Sequence, residues 1–200
     1  MRPSGKLSTD PGGRNFLNVA TLDGQKILLC VCGGIAAYKA ADLVRRLGDA
    51  GAVVQVAMTD NAQRFVGATT FQALSGRPVR TSLWDEAAEA AMGHIELARW
   101  PDRIVIAPAT ANTIARLAHG FADDLVSTLC LATDAPIAIA PAMNRLMWAN
   151  AATQANVETL RGRGVLVLGP GVGDQACGEI GEGRLLEPDM IVAALARESA

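Results

Sequence analysis

The stretch Lys26-Ile-Leu-Leu-Cys-Val-Cys-Gly-Gly-Ile-Ala-Ala-Tyr-Lys39 decides the fold of this chain. An unbroken apolar run ends at two glycines, and a helix-like pattern, IAAYKAADLVRRLGDAG, follows over residues 35–51. Continuous rather than alternating apolar residues indicate a strand that is buried on both faces, as in a parallel sheet. Glycines at such a turn let a ligand phosphate approach the backbone. Because Ala36 and Ala37 break the GxGxxG pattern, a plain strand-to-helix turn remains the alternative.

The same alternation of strands and helices continues along the chain. Further apolar strands are predicted at 53–58, 103–107, 136–140 and 165–168, and helices at 62–75, 113–120, 121–134, 153–163 and from 188 onward. This order predicts a single α/β domain with right-handed crossovers. The expected architecture is a Rossmann-like (flavodoxin-like) doubly wound parallel sheet in a three-layer αβα sandwich.

Composition narrows the possible classes of protein. Half of the 200 residues are apolar and the net charge is −2, without a basic cluster, so a nucleic-acid partner is not expected. Apolar runs are too short to cross a membrane. Residues 1–24 are rich in Pro, Gly and Ser and lack a signal-peptide core, so we expect a flexible arm there and the domain over residues 25–200. The four cysteines lack metal-site spacing, so we expect no metal and a reduced, cytoplasmic protein.

Ligands of such sheets bind beyond the carboxyl ends of the strands, which predicts where the site lies. Five segments would form that rim: CGGIAAYK (32–39), MTDNAQRF (58–65), APATANT (107–113), APAMNRLMW (140–148) and GPGVGDQACGEIGEGRL (169–185). Thr59 and Asn61, close to the two glycines, suit a terminal phosphate better than a ribose diol. This favours a mononucleotide such as FMN over NAD, although Asp60 keeps NAD open.

Several rim residues have both a structural and a functional interpretation. Thr110, Asn112 and Thr113 can cap a helix or hydrogen-bond a flavin. His94 has a side chain whose ordinary pKa suits acid–base work, although a lone histidine is often structural. Cys177 stands in a glycine-rich loop that we interpret as a lid over a small substrate, whereas the other three cysteines are expected in the core.

These segments together resemble the flavin-dependent cysteine decarboxylases, in particular the phosphopantothenoylcysteine decarboxylases of coenzyme A biosynthesis. PAMNRLMW matches the family pattern Pro-x-Met-Asn-x-x-Met-Trp, and HIELARW (94–100) and ACGE (176–179) match two further motifs. The resemblance runs from Lys26 to the final helix. The ligase domain that usually follows in bacteria has no counterpart after that helix, so we expect either a cut domain or a monofunctional form.

The resemblance implies roles for individual residues. His94 would be the catalytic base, Asn144 would hold the substrate carboxylate, and Cys177 would be the proton donor on the lid. FMN would contact Gly33, Gly34, Ile35, Thr59, Thr110, Ala111, Asn112, Thr113 and Ala142. The substrate would contact Met143, Asn144, Asp174, Ala176, Arg184 and Leu185, the last of which replaces a methionine of the family.

The implied reaction converts 4′-phosphopantothenoylcysteine to 4′-phosphopantetheine with FMN as cofactor. The thiol is oxidised to a thioaldehyde, CO2 leaves to give an enethiolate, and the product is then re-reduced. The resemblance also implies a homo-oligomer, a trimer or a multiple of trimers, with the site at the subunit contact. Alternatives are a peptidyl-cysteine decarboxylase of peptide-antibiotic maturation, a flavin prenyltransferase and a non-catalytic FMN-binding regulatory protein.

Overall fold

The apolar run that follows Gln25 forms an inner strand of a five-stranded sheet in a computed structural model of the chain, which describes residues 21–84, 93–176 and 178–198. The described elements, in chain order, are β1 Lys26–Val31, α1 Ala37–Asp49, β2 Val53–Met58, a 3₁₀ turn Ala62–Arg64, α2 Ala68–Ser75, α3 His94–Arg99, β3 Arg103–Ala109, α4 Ala111–His119, α5 Leu125–Leu131, β4 Ile137–Pro141, α6 Arg145–Ala149, α7 Ala151–Gly162, β5 Leu166–Val167, β6 Gly171–Asp174, β7 Ile180–Arg184 and α8 Pro188–Arg197.

All neighbouring strands of the large sheet are parallel, in the order β2-β1-β3-β4-β5. Lys26 pairs with Val53 on one side of β1, and Ile27 pairs with Arg103 on the other. The strand order reverses between β1 and β3, and such a switch point opens a crevice at the carboxyl edge. The predicted flavodoxin-like parallel sheet is therefore confirmed.

The side chains of each strand enter two separate apolar cores, one on each face of the sheet. Leu29 and Val31 point to the core under α1, α2 and α8, whereas Leu28 and Cys30 point to the core under α3, α4, α5 and α7. All four side chains are fully buried. Burial on both faces is the reason that β1 reads as a continuous apolar run, and the three-layer arrangement follows from it.

The segment 62–75 departs from its prediction as one helix. A 3₁₀ turn covers Ala62–Arg64, and α2 begins only at Ala68 because Gly67 is extended, with φ −70° and ψ 143°. Glycine resists helical φ and ψ angles, so the break falls there. Gly76 ends α2 in the left-handed conformation, as expected for a helix that closes at a glycine. The strand predicted at 165–168 is also shorter, covering Leu166–Val167.

The segment predicted as a lid loop is a two-stranded hairpin. β6 and β7 pair antiparallel, with Val172 opposite Glu182. The hairpin is joined to the end of β4 by a bond from the Met143 N–H to the Gly183 carbonyl, 2.9 Å between N and O. The loop prediction was wrong for Gly171–Asp174 and Ile180–Arg184, because glycine-rich strands carry little apolar alternation and are held by contacts outside the segment.

The described part of the N-terminal segment, residues 21–24, lies against the domain. Leu22 is fully buried, and its N–H donates to the Ala50 carbonyl at 2.8 Å. Across the described ranges, the helices are all too short or too polar to traverse a lipid bilayer.

Candidate active site

A cavity of about 960 Å³ opens at the carboxyl edge of the sheet. Its walls are the segments that follow β1, β2, β3 and β4, together with the hairpin and the region between α4 and α5. It contains the predicted FMN-contacting residues Gly33, Gly34, Ile35, Thr59, Thr110, Ala111, Asn112, Thr113 and Ala142, and the predicted substrate-contacting residues Met143, Asn144, Asp174, Ala176, Arg184 and Leu185. Residues assigned from five separate stretches of sequence therefore meet in one space.

The turn after β1 packs against the turn after β2 without room for a side chain. A Cβ built on Gly33 would lie 2.4 Å from Asn61 Cβ and 2.6 Å from its carbonyl carbon. The helix that follows, α1, has no side-chain cap at its N-terminus. The first turn of α1 closes on the preceding residues, with bonds from the Ala37 N–H to the Gly34 carbonyl at 2.9 Å and from the Lys39 N–H to the Ala36 carbonyl at 3.0 Å. Residues 33–36 and Thr59 border the cavity, and the positive end of a long helix attracts anions. This corner has the chemistry of a phosphate site.

The segment after β3 is both a helix cap and a cavity wall. The Thr110 hydroxyl oxygen accepts a bond from the Thr113 N–H at 3.2 Å, which caps α4. Thr113 in turn donates through its hydroxyl to the Cys32 sulfur at 3.2 Å. Asn112 is exposed to the cavity. The two interpretations of this segment are compatible, because the Thr110 hydroxyl serves the cap while Asn112 is exposed at the cavity.

The buried cysteines beside this wall belong to the core. Burial raises the pKa of Cys32 to about 12, although the Thr113 hydroxyl bond opposes the shift, so Cys32 is a neutral thiol near pH 7. The pKa of Cys30 is raised mainly by a side-chain hydrogen bond with Cys130, and burial of the thiol raises it further. Within the described ranges, His, Cys, Asp and Glu form no group of three or more that could hold a metal ion.

Two cations at the cavity share one carboxylate. Lys39 Nζ and Arg184 Nη2 lie 2.8 Å and 2.9 Å from the same oxygen of Glu187, Oε1. The bond from Lys39, more than the charge of Arg184, lowers the pKa of Glu187. Two positive charges against one negative charge leave this side of the cavity suited to an anionic ligand. Lys39 was not singled out from sequence, although it lies one helical turn beyond the glycine turn.

Arg116 and two aspartates line another part of the cavity. Arg116 Nη1 donates to Asp123 at 2.7 Å and to Asp124 at 2.8 Å. Asp124 also accepts from the Ser127 N–H at 2.7 Å and so caps α5. Sequence patterns did not identify Arg116 as a cavity residue, because its position follows from how α4 and α5 pack together.

Asn144 lies at the tip of β4 and uses both ends of its amide. Its Oδ1 accepts from the Leu146 N–H at 2.8 Å, which caps α6. Its Nδ2 donates to Glu179 Oε2 at 2.7 Å and lies 3.4 Å from Gln175 Oε1. The amide therefore joins the end of the sheet to the hairpin and holds a carboxylate at its N–H end.

Gln175 is a site residue that sequence reasoning missed. Its Oε1 accepts from the Arg145 N–H at 3.0 Å, and its Nε2 donates to the carbonyls of Met143 at 3.3 Å and Glu182 at 3.1 Å. A single side chain thus ties the hairpin to the segment around Asn144. Its place directly before the ACGE motif is the signal that could have identified it.

The described lining of the cavity includes Asn144 of the three predicted catalytic residues, and the other two are Cys177 and His94. Cys177 lies outside the described residues. His94 begins α3 and is half-buried, and the lining of the cavity by described residues does not include it. Leu97 and Ala98 of the same helix are buried in the core, which fixes α3 against the sheet.

Comparison with known proteins gives a family and close relatives. The family model described as Flavoprotein matches residues 18–199. The coenzyme A biosynthesis bifunctional protein CoaBC of Vibrio vulnificus (strain YJ016) is 60% identical over 173 residues, which are 86% of this chain and 43% of that protein. CoaBC of Bacillus subtilis (strain 168) is 48% identical over 86% of this chain and 42% of its own length. The chain thus spans less than half the length of these relatives.

Solved structures match over almost their whole length. A Cys-to-Ser mutant of PPC decarboxylase in complex with pantothenoylaminoethenethiol has a TM-score of 0.78 and 30% identity, and the match covers 88% of this chain and 98% of that one. The FMN binding protein AtHal3 has a TM-score of 0.75 and 31% identity over 88% of this chain and 98% of its own. MrsD from Bacillus sp. HIL-Y85/54728 has a TM-score of 0.77 and 27% identity, and the match covers 90% of this chain and 98% of that one.

The contact between Gly33 and Asn61 gives a prediction for paired glycine variants. Gly33→Ala should destabilise the protein by about 1–3 kcal/mol and impair flavin retention, because the new Cβ meets backbone atoms. Gly34→Ala is the matched control for the fold, since a Cβ there has Thr110 Cγ2 as its nearest neighbour at 3.9 Å. Thermal unfolding and flavin absorbance of both variants test this, and equal melting temperatures for the two would contradict it.

Proposed function

The chain belongs to the Flavoprotein family, and from that premise we propose that it binds FMN and decarboxylates 4′-phosphopantothenoylcysteine to 4′-phosphopantetheine. The observation that carries the proposal is the single cavity in which the residues assigned to FMN and those assigned to substrate meet. The high identity to CoaBC and the fold shared with PPC decarboxylase support it.

The cavity fits FMN. The phosphate would lie at the start of α1, beside Gly33 and Thr59, where the positive end of the helix dipole meets a threonine hydroxyl at the cavity. Asn112 and the backbone around Ala142 would contact the rest of the cofactor. When bound, FMN supplies the two-electron oxidation of the substrate thiol carbon and its later reversal.

The substrate would lie between the FMN site and the hairpin. Asn144 would donate through Nδ2 to its carboxylate, and Lys39 and Arg184 would place positive charge near its phosphate. A carboxylate that is to leave as neutral CO2 should be oriented without strong stabilisation, since stabilising the ground state alone slows the step. An uncharged amide meets that requirement, whereas an arginine would not.

His94 and Cys177 would handle protons. His94 would accept a proton at a ring nitrogen during thiol oxidation. The Cys177 thiol would return a proton to the enethiolate carbon. The segment that bears Cys177 joins β6 to β7, and the hairpin is docked on Met143 and Arg145 next to the substrate site.

The buried thiols support a proposal for the subcellular setting. Cys30, Cys32 and Cys130 are free and buried within the described residues. Free thiols are typical of reducing compartments, and we propose that the protein works in the cytoplasm.

A direct test uses the purified chain. We expect a flavin absorbance spectrum, and a product smaller by one CO2 when 4′-phosphopantothenoylcysteine is added and followed by mass spectrometry. A peptide with a C-terminal cysteine is the second substrate, which distinguishes a peptidyl-cysteine decarboxylase. Colourless protein would refute the cofactor, and a coloured protein that releases no CO2 from the small substrate would refute the activity.

Asn144→Asp should lower kcat/KM more than about a hundredfold, because two carboxylates would then face each other. FMN binding and folding should persist, since an aspartate oxygen can still cap α6. Asn150→Asp is the matched control: Asn150 caps α7 by accepting from the Ala152 N–H at 2.9 Å and does not line the cavity among the described residues. Comparable activity for the two variants would show that Asn144 does not bind the substrate carboxylate.

We propose further that His94 completes the cavity of a neighbouring subunit in a homotrimer or a multiple of trimers. The position of His94 outside the described lining of its own chain's cavity supports this. His94→Asn and Asn144→Asp chains should each be inactive alone. Co-expressed in equal amounts, they should recover up to about a quarter of wild-type activity, because one site in four would combine two intact contributions. Absence of any recovery in verified mixed oligomers would contradict the arrangement.

A further inference from the structure

A glutamate of the hairpin already holds the amide to which the substrate carboxylate is assigned. Asn144 Nδ2 donates to Glu179 Oε2 at 2.7 Å, and Arg145 Nη2 lies 3.1 Å from Glu179 Oε1. We propose that Glu179 occupies the carboxylate subsite of the substrate-free protein and that the substrate carboxylate displaces it. This inference rests on the proposed function, because it requires Asn144 to bind a substrate carboxylate.

The bonds of Asn144 require exchange rather than addition. The amide oxygen is used by the cap of α6, through the Leu146 N–H at 2.8 Å. An amide nitrogen offers two N–H groups. One donates to Glu179 Oε2, and the nitrogen also lies 3.4 Å from Gln175 Oε1, so the amide is engaged on both sides by the hairpin. A substrate carboxylate can take a short, charge-assisted bond only where Glu179 now makes it.

Repulsion between the carboxylates of Glu179 and the substrate also favours exchange at Asn144. Glu179 and a substrate carboxylate on the same amide would place two negative charges at contact distance. Arg145 is already paired with Glu179 and offers compensation for only one of them. Like charges in a site partly shielded from water repel strongly, so the two carboxylates exclude each other.

The Glu179 carboxylate can leave Asn144 while the hairpin stays attached to the end of the large sheet. The Glu179 side chain is 36% exposed, so its carboxylate can turn toward solvent. The anchors of the hairpin are separate from it: the Met143 N–H donates to the Gly183 carbonyl at 2.9 Å, and the Arg145 N–H donates to Gln175 Oε1 at 3.0 Å. A Cβ on Gly183 would lie 2.3 Å from the Met143 carbonyl oxygen, which shows how closely this anchor fits.

Exchange at Asn144 would make the subsite respond to turnover. A substrate with a carboxylate can displace Glu179. Once CO2 has left, the product has no group to hold Nδ2, and Glu179 returns to it. Glu179 is thus a positioning residue that weakens the binding of carboxylate ligands, keeps the amide paired between turnovers and favours release of the decarboxylated product.

The test compares two ligands that differ only in the carboxylate, on the FMN-loaded protein. One is 4′-phosphopantothenoylserine, in which a hydroxyl replaces the reacting thiol, and the other is the same molecule without its carboxyl group. Glu179→Gln keeps the length of the side chain and an oxygen for Asn144 but removes the charge. It should tighten the carboxylate ligand about fivefold and leave the carboxylate-free ligand unchanged, measured by calorimetry or by the flavin spectrum.

Two controls isolate the cause. Glu182→Gln makes the same substitution on the same hairpin, but Glu182 accepts from Trp148 Nε1 at 3.2 Å rather than from Asn144, so the ratio of the two affinities should stay at the wild-type value. Glu179→Gln also frees Arg145, which could itself attract a carboxylate. The fivefold change should therefore persist when Glu179→Gln is made in an Arg145→Gln background.

Three results would overturn the inference: an unchanged ratio of affinities in Glu179→Gln, a weaker carboxylate ligand in that variant, or loss of the effect in the Arg145→Gln background. In each of these cases both ligands still bind wild-type protein, and the proposed function stands. If neither ligand binds the wild-type flavoprotein, the substrate assignment itself fails and the role of Glu179 falls with it. Retained flavin absorbance verifies that each variant is folded.

Discussion

The strands of the large sheet all point the same way, and the site depends on this constraint. Parallel strands deliver every strand end to one edge, so segments far apart in sequence must meet there. The reversal of strand order between β1 and β3 then leaves a crevice, because the chain departs to opposite faces of the sheet on either side of it. Gly33 marks how tightly this edge is built, because a side chain at this position would clash with Asn61 in the turn after β2.

The strands of the large sheet were predictable from the sequence for one physical reason. Burial on both faces demands unbroken apolar runs such as 103–107, and the rim follows once the strands are known. The apolar periodicity does not say which rim residues bind a ligand. The sequence around Thr110, for example, is the same whether the threonine caps a helix or contacts a cofactor. The motifs around His94 and Asn144 supplied that assignment through resemblance, and the cavity brings Asn144, but not His94, together with the predicted FMN residues within one chain.

What the sequence did not predict is held by tertiary contacts. The hairpin of β6 and β7 contains glycines at 171, 173, 181 and 183, which weaken any strand signal. Its place is fixed by Gln175, whose side chain forms hydrogen bonds with Met143, Asn144, Arg145 and Glu182. Lys39 and Arg116 were missed for a related reason: which face of a helix meets the cavity is decided by packing between elements. Gly67, by contrast, carried a local signal for the break before α2.

The opening of α6 explains why an asparagine, rather than another polar residue, ends β4. An amide is the side chain that carries an acceptor and two donors on one rigid group. The bond from the Leu146 N–H fixes Oδ1 toward the helix, and this fixes Nδ2 toward the hairpin and the cavity. Serine or aspartate would cap equally well but would not present two N–H groups, and a lysine or arginine would donate but could not cap. The local requirement of the helix therefore orients the donor that the chemistry needs, and the carboxylate of Glu179 on that donor marks where a second carboxylate would bind.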